Sequence, residues 1–202
     1  MTPKHGMEPE EPEVNWRNFK IGARLAKQSN VTTAMITGKG EPTLFPGQIT
    51  KYLDALAEFA FPFIEMQTNG LALYEKEEQY KPYLREWYDK GMTTIAISVV
   101  HYEAEKNREI YAPHKKEYTD LPHLINTLHD IGYSVRLSCI MADGYVDSSE
   151  SLEKLILFAH ENKVEQLTVT PVNLPHETSN HTVEQWTKEH YLKEEKLQDI
   201  KG

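Results

Sequence analysis

Five short runs of β-type residues recur along this chain at a spacing of roughly thirty residues, each closed by a turn signal and separated by helical periodicity. The runs are 31–37, ended by Gly38-Lys39-Gly40, and 63–67, stopped at Thr68-Asn69-Gly70. Then come 94–100, apolar almost throughout as in a strand buried on both faces, 134–141, ended by Asp143-Gly144, and 167–171. Between them the spacing predicts helices over 46–60, 75–90, 119–131 and 149–161. Pro46 suits a first helical turn, Gly91 and Gly132 suit positions just past a helix end, and Ser148 to Ser151 supply cap residues. A further helix is expected over 17–28, and the charged stretch from Glu184 reads as helical. Crossovers this long imply parallel neighbours and right-handed connections. The predicted class is α/β. Five strands make either a doubly wound sheet or part of a (βα) barrel, and do not close the usual eight-stranded barrel. In both, ligands sit beyond the carboxyl ends of the strands.

The chain's 202 residues suit one compact domain. An extended arm is expected over 1–16, where prolines and like charges oppose a helix, then a (βα) core over 17–182 and a charged helical tail over 183–202. Lys and Arg number 22 against 31 Asp and Glu, a net charge of −9 with no basic run, so the electrostatic footprint of a nucleic-acid binder is absent from the sequence. No window approaches the roughly 20 apolar residues of a membrane span, and the first residues have no apolar signal core. The expected location is the cytoplasm. The single cysteine, Cys139, excludes an internal disulfide, a cysteine-only zinc site and an iron–sulfur cluster held by this chain's thiolates alone. It lies on a predicted interior strand, where a lone thiol behaves as a small buried hydrophobe.

The strand ends carry the chemistry. After the first strand, Gly38 and Gly40 allow positive φ and close approach of backbone to a ligand, and Glu41 and Pro42 follow directly. A plainer reading makes Glu41 the capping acid of a strand-to-helix turn. The segment is neither a Walker loop nor a dinucleotide fingerprint, because the upstream glycine of the one and the third glycine of the other are missing. The second strand ends in Thr68 and the Asn69-Gly70 turn. The third offers Ser98, His101 and Tyr102, the fourth Arg136 and Ser138, and the fifth Thr168, Thr170, Pro171 and Asn173. None of the nine histidines pairs at zinc spacing on one element; His176 and His181 are too far apart. No nucleophile elbow is present. The helical tyrosines Tyr74, Tyr80, Tyr83 and Tyr88 read as a surface wedge.

Taken in order, Gly40-Glu41-Pro42-Thr43-Leu44, then Thr68-Asn69-Gly70, then a serine at the next strand end resemble the radical S-adenosylmethionine superfamily, over about residues 17 to 175. Lys39 stands where that family's glycine–glutamate–proline motif usually has a second glycine. The segments GYSVRLSCIMADGYV and VEQLTVTPVNLP are similar to the branch of GTP-cyclising molybdenum-cofactor enzymes. The resemblance implies a partial (βα)6 barrel in which these are the second to sixth strands. It implies that Gly38, Gly40 and Glu41 present backbone groups to the methionyl amino group of S-adenosylmethionine and that Ser98 lies near its ribose or carboxylate. Arg136 and Ser138 would face the same cavity, with Arg136 suited to a carboxylate or phosphate. Thr170 and Pro171 would lie along the adenine side, and Thr68 would face substrate.

The family's chemistry uses a [4Fe-4S] cluster held by three closely spaced cysteines after the first strand, with reductive cleavage of S-adenosylmethionine to a 5′-deoxyadenosyl radical. The complete enzyme would take electrons from a donor such as flavodoxin or ferredoxin and act on an unidentified substrate: a nucleotide, a peptide or another protein's glycyl-radical loop. No cysteine triad occurs here. The expectation is therefore a core that begins just after the cluster loop and is inactive as it stands. One rival is a cluster-free (βα) module that binds a nucleotide or a protein. The other is an unrelated barrel enzyme acting on phosphorylated metabolites.

Overall fold

The computed structural model describes residues 11, 13–38, 40–174 and 181–201. Most of the expected arm, Lys39 and His176 lie outside the described residues. Five strands lie in one sheet in chain order: β1 (Thr33–Ile36), β2 (Phe63–Thr68), β3 (Thr94–Val99), β4 (Ser134–Met141) and β5 (Gln166–Pro171). The pairs β1/β2, β2/β3 and β4/β5 run parallel. The α/β class and the repeated strand–helix rhythm are as expected, and five parallel strands are the number a partial (βα) barrel of this kind calls for.

The helices are α1 (Trp16–Gln28), α2 (Pro46–Ala57), α3 (Leu71–Glu75), α4 (Glu77–Asp89), α5 (Ala104–Tyr111), α6 (Leu121–Ile131), α7 (Ser149–Glu161), α8 (His181–Glu189) and α9 (Glu194–Lys201). Several differ from expectation for local reasons. The helix expected over 75–90 is α4, and the short helix α3, which the spacing did not announce, ends just before it, because Lys76 leaves helical geometry at φ −121° and ψ 39°. The helix expected from 119 starts at Leu121, because the Asp120 carboxylate takes the His123 N–H at 3.1 Å and fixes the start there. Helix α5 carries almost no apolar periodicity, its one buried residue being Asn107, so hydrophobic spacing could not announce it. The tail holds two helices rather than one.

The chain divides into two compact units, Met1–Ile97 with Thr119–Val135, and Ser98–Tyr118 with Arg136–Gly202. In the first, the core is built from Leu53 and Leu56 of α2, Met66 of β2, Leu84 and Trp87 of α4, Ile95 and Ile97 of β3, and Leu124 and Leu128 of α6. Two buried polar tips are satisfied there. The Trp87 indole N–H donates to Thr50 Oγ1 at 3.0 Å, and the Tyr133 hydroxyl donates to the Leu84 carbonyl at 2.6 Å. In the second, Leu137, Cys139 and Met141 of β4 are buried, as are Val146 and Leu155. Helix α7 starts from a capping box in which Ser148 and Ser151 bond each other's backbone N–H groups. No helix among the described residues is long and apolar enough to cross a membrane.

Candidate functional site

Alternation along the strands sorts their side chains into two faces. In the first unit, Ile64, Met66 and Thr68 share one face of β2 with Ile95 and Ile97 of β3 beside them, all buried. The other face carries Glu65 and Gln67 of β2 with Met35 of β1. The Thr37 hydroxyl reaches Gln67 Oε1 at 3.4 Å. Glu65 is buried although it is a carboxylate, and neither it nor Gln67 was singled out by motif. Their period of two in an otherwise apolar run was the signal available.

At the carboxyl ends of β1 and β2 the Glu41 carboxylate gathers four donors. Oε1 accepts the Thr43 backbone N–H at 3.0 Å, the Thr43 hydroxyl at 2.7 Å and the Thr68 hydroxyl at 2.7 Å. Oε2 accepts the Asn69 N–H at 2.8 Å. Thr68 Oγ1 in turn accepts the Gly70 N–H, and Asn69 Oδ1 accepts the Leu71 N–H, each at 3.0 Å. One carboxylate thus ties the exit of β1 to the Asn-Gly turn after β2, and it also caps the short 3-10 turn Pro42–Leu44. The capping reading of Glu41 holds, and the same side chain does more than cap. Tyr80 of α4 donates its hydroxyl to the Thr43 carbonyl and braces this turn from below. Burial, and then the charge of Glu41, push the Tyr80 phenol above its ordinary value of 10.0.

Three expectations need correcting. Thr68 is 2% exposed, lies on the apolar face with Met66, and has its hydroxyl committed both as donor and as acceptor, so it is not presented to a substrate. Gly38 and Gly40 do not use positive φ; a Cβ at either would meet no atom within 4 Å, so what glycine supplies there is open space beside the backbone. Tyr80 is buried rather than part of a surface wedge, because its phenol has the Thr43 carbonyl to bond. Gly70 does use the left-handed region, at φ 74°, with Leu124 and Ile97 closing around it.

In the second unit, the register pairs Arg136 with Gln166, Ser138 with Thr168 and Ile140 with Thr170. Arg136, Ser138 and Thr170 therefore share one face, while Leu137, Cys139 and Met141 are buried on the other. Ser98 is half-buried near the end of β3. Cys139 is 1% exposed, and burial pushes its thiol up to about 12. It lies on the face opposite Arg136 and Ser138 and is not poised as a thiolate ligand. No group of His, Cys, Asp and Glu among the described residues forms a metal-binding cluster. These residues do not fit an iron–sulfur cluster.

The chain is an α/β protein in which β2 and β4 each carry polar side chains on one face, and in which the first two strand ends are locked by a glutamate. Among solved structures, the chain matches D-psicose 3-epimerase with D-tagatose from Clostridium cellulolyticum H10, at 10% identity and a TM-score of 0.46, covering 89% of this chain and 66% of that one. The chain thus spans slightly less than two thirds of that enzyme's length. No protein-family model matches the chain, and no curated protein matches it.

Proposed function

We propose that the chain is the S-adenosylmethionine-binding core of a radical S-adenosylmethionine enzyme. The observation that carries this reading is the Glu41 carboxylate bonded to Thr68 and Asn69, because it joins the Gly-Glu-Pro and Thr-Asn-Gly motifs, on which the resemblance rests, into one turn structure. In the first unit, Gly38 and Gly40 offer backbone groups, with space beside them, to the methionyl amino group. The Glu41 side chain braces that loop, and its backbone is offered along with theirs. In the second unit, taken by itself, Arg136, Ser138 and Thr170 share one polar strand face, and Ser98 is a further half-buried hydroxyl.

These 202 residues hold no cysteine triad for a [4Fe-4S] cluster, and their one thiol is the buried Cys139. The part proposed for this chain is to hold the nucleoside, not the cluster. In the complete enzyme the cluster, with electrons from a flavodoxin or ferredoxin, would supply the radical chemistry on a substrate not yet identified, in the cytoplasm.

Equilibrium dialysis with labelled S-adenosylmethionine tests the reading. Without the cluster as anchor, binding is expected near a Kd of about 1 mM, roughly −4 kcal/mol. S-adenosylhomocysteine should compete with it. Absence of any saturable binding at about ten times that concentration contradicts the proposal.

A further inference from the structure

The loop that leaves β3 is fastened by two buried polar side chains, Asn107 and His101, all within the second unit. Asn107 Oδ1 accepts the Val100 N–H at 2.8 Å and the His101 N–H at 3.4 Å. Its amide group donates to the His101 carbonyl at 2.6 Å and the Glu103 carbonyl at 3.0 Å. The asparagine is therefore fully used. His101, 7% exposed, stacks on Tyr102 with ring centroids 4.1 Å apart, and its Nδ1 accepts the Glu103 backbone N–H at 3.0 Å.

That last bond fixes the chemistry of the ring. A backbone amide only donates, so Nδ1 is bare and the neutral imidazole carries its hydrogen on Nε2. Glu103 is also the residue that opens α5, and no side chain caps that helix start. The His101 ring takes the Glu103 amide, which would otherwise be left open to water. A positive ring here would stand at the electropositive end of a helix with a hydrogen on each nitrogen and nothing to receive the Glu103 amide. The charged groups around it divide evenly: Glu103 and Asp147 favour the cation, and Lys106 and Lys154 oppose it. Burial outweighs them and holds the ring below its ordinary value of 6.5.

We propose that His101 is an acid-released latch on the loop between β3 and α5. With Nδ1 bare, the ring fastens the loop; uptake of one proton at Nδ1 turns the acceptor into a donor and breaks the bond from the Glu103 amide. The new Nδ1–H has a partner waiting in the Glu103 carboxylate, 3.8 Å away in the latched form, and reaching it requires the loop to move. The latch goes beyond the binding function proposed above and needs neither nucleoside nor cluster, so each can fail without the other.

Nitrogen-15 NMR of the histidine rings, with amide hydrogen exchange between pH 7.5 and pH 4.5, tests the latch on the whole chain; this range brackets the ordinary histidine value of about 6.5. At neutral pH the His101 ring is expected in the Nε2–H form. Below pH 6.5 the protection of the Val100, His101 and Glu103 amides should fall by up to about tenfold per pH unit, until the ring itself is protonated. In His101→Asn the side-chain oxygen can take the amide two residues on, as Nδ1 does, but cannot titrate. Its protection should stay level across the same range. An Nδ1–H ring at neutral pH, protection unmoved while His101 titrates, or the same acid loss in His101→Asn would each overturn the latch. If that variant does not fold, the two measurements on the unaltered chain decide alone.

Discussion

The Thr68 hydroxyl donates to Glu41 Oε1 at 2.7 Å across 27 residues of chain, and this bond joins the turns that follow two adjacent parallel strands. With the Asn69 N–H on Oε2, it makes Glu41 a brace between the strand ends. Glu41→Gln replaces one oxygen by an amide NH2 that faces donors, and should cost about 1–3 kcal/mol. Thr68→Val should cost about 1 kcal/mol. Because the two share a bond, the double variant should lose less than the sum of the singles by at least about 0.5 kcal/mol, read from urea unfolding. Strict additivity would show that the brace does not operate.

The glycines at these turns are expected to differ sharply. Gly70→Ala places a methyl 2.8 Å from Leu124 Cδ2 at φ 74°, and should destabilise by about 1–3 kcal/mol. Gly38→Ala and Gly40→Ala put the methyl in open space and should stay within about 0.5 kcal/mol of the parent. Under the proposed function those two should nonetheless weaken S-adenosylmethionine binding, since the methyl occupies space beside the backbone that the ligand would use. Thermal unfolding and dialysis on the same variants separate the two effects.

Cys139 is expected to be inert in the folded protein. Its burial and its thiol pushed up to about 12 predict no alkylation by iodoacetamide at pH 8 under native conditions and complete alkylation in denaturant. Rapid native labelling, measured by mass spectrometry, would contradict its placement on the apolar face of β4.

Glu77 supplies a pH-dependent test in the first unit. Hydrogen bonds from Lys81 and then His123 hold its carboxyl below the ordinary 4.5. A lowered carboxyl contributes stability that is complete above pH 4.5 and is lost as pH falls through its folded value. Glu77→Gln should therefore lower the urea midpoint at pH 6 and leave it unchanged at pH 2.5.

Much of the fold was legible because it rests on periodicity. The stripe Leu121, Leu124, Ile125 and Leu128 is buried on one side of α6, and most of the near-continuous run expected over 94–100 is the strand β3, Thr94–Val99, covered on both faces. What escaped sequence reading lacks an apolar signal or spans a long separation. Helix α5 buries an asparagine instead of a leucine, and Tyr80 finds its partner 37 residues away at the Thr43 carbonyl. Thr68 is the instructive case. The resemblance has it face substrate, yet counting by twos from Ile64 and Met66 already puts it on the buried face. Glu41 shows the opposite balance, since its spacing admitted a plain cap and only three-dimensional geometry reveals the bonds to Thr68 and Asn69.

The central claim is tested most directly by mapping amide chemical shifts on the nitrogen-15-labelled chain as S-adenosylmethionine is added to millimolar concentration. Binding as proposed predicts saturable shifts at Gly38 and Gly40, with the α4 surface unmoved. Saturable shifts confined to other residues, or none at these two glycines, would contradict it.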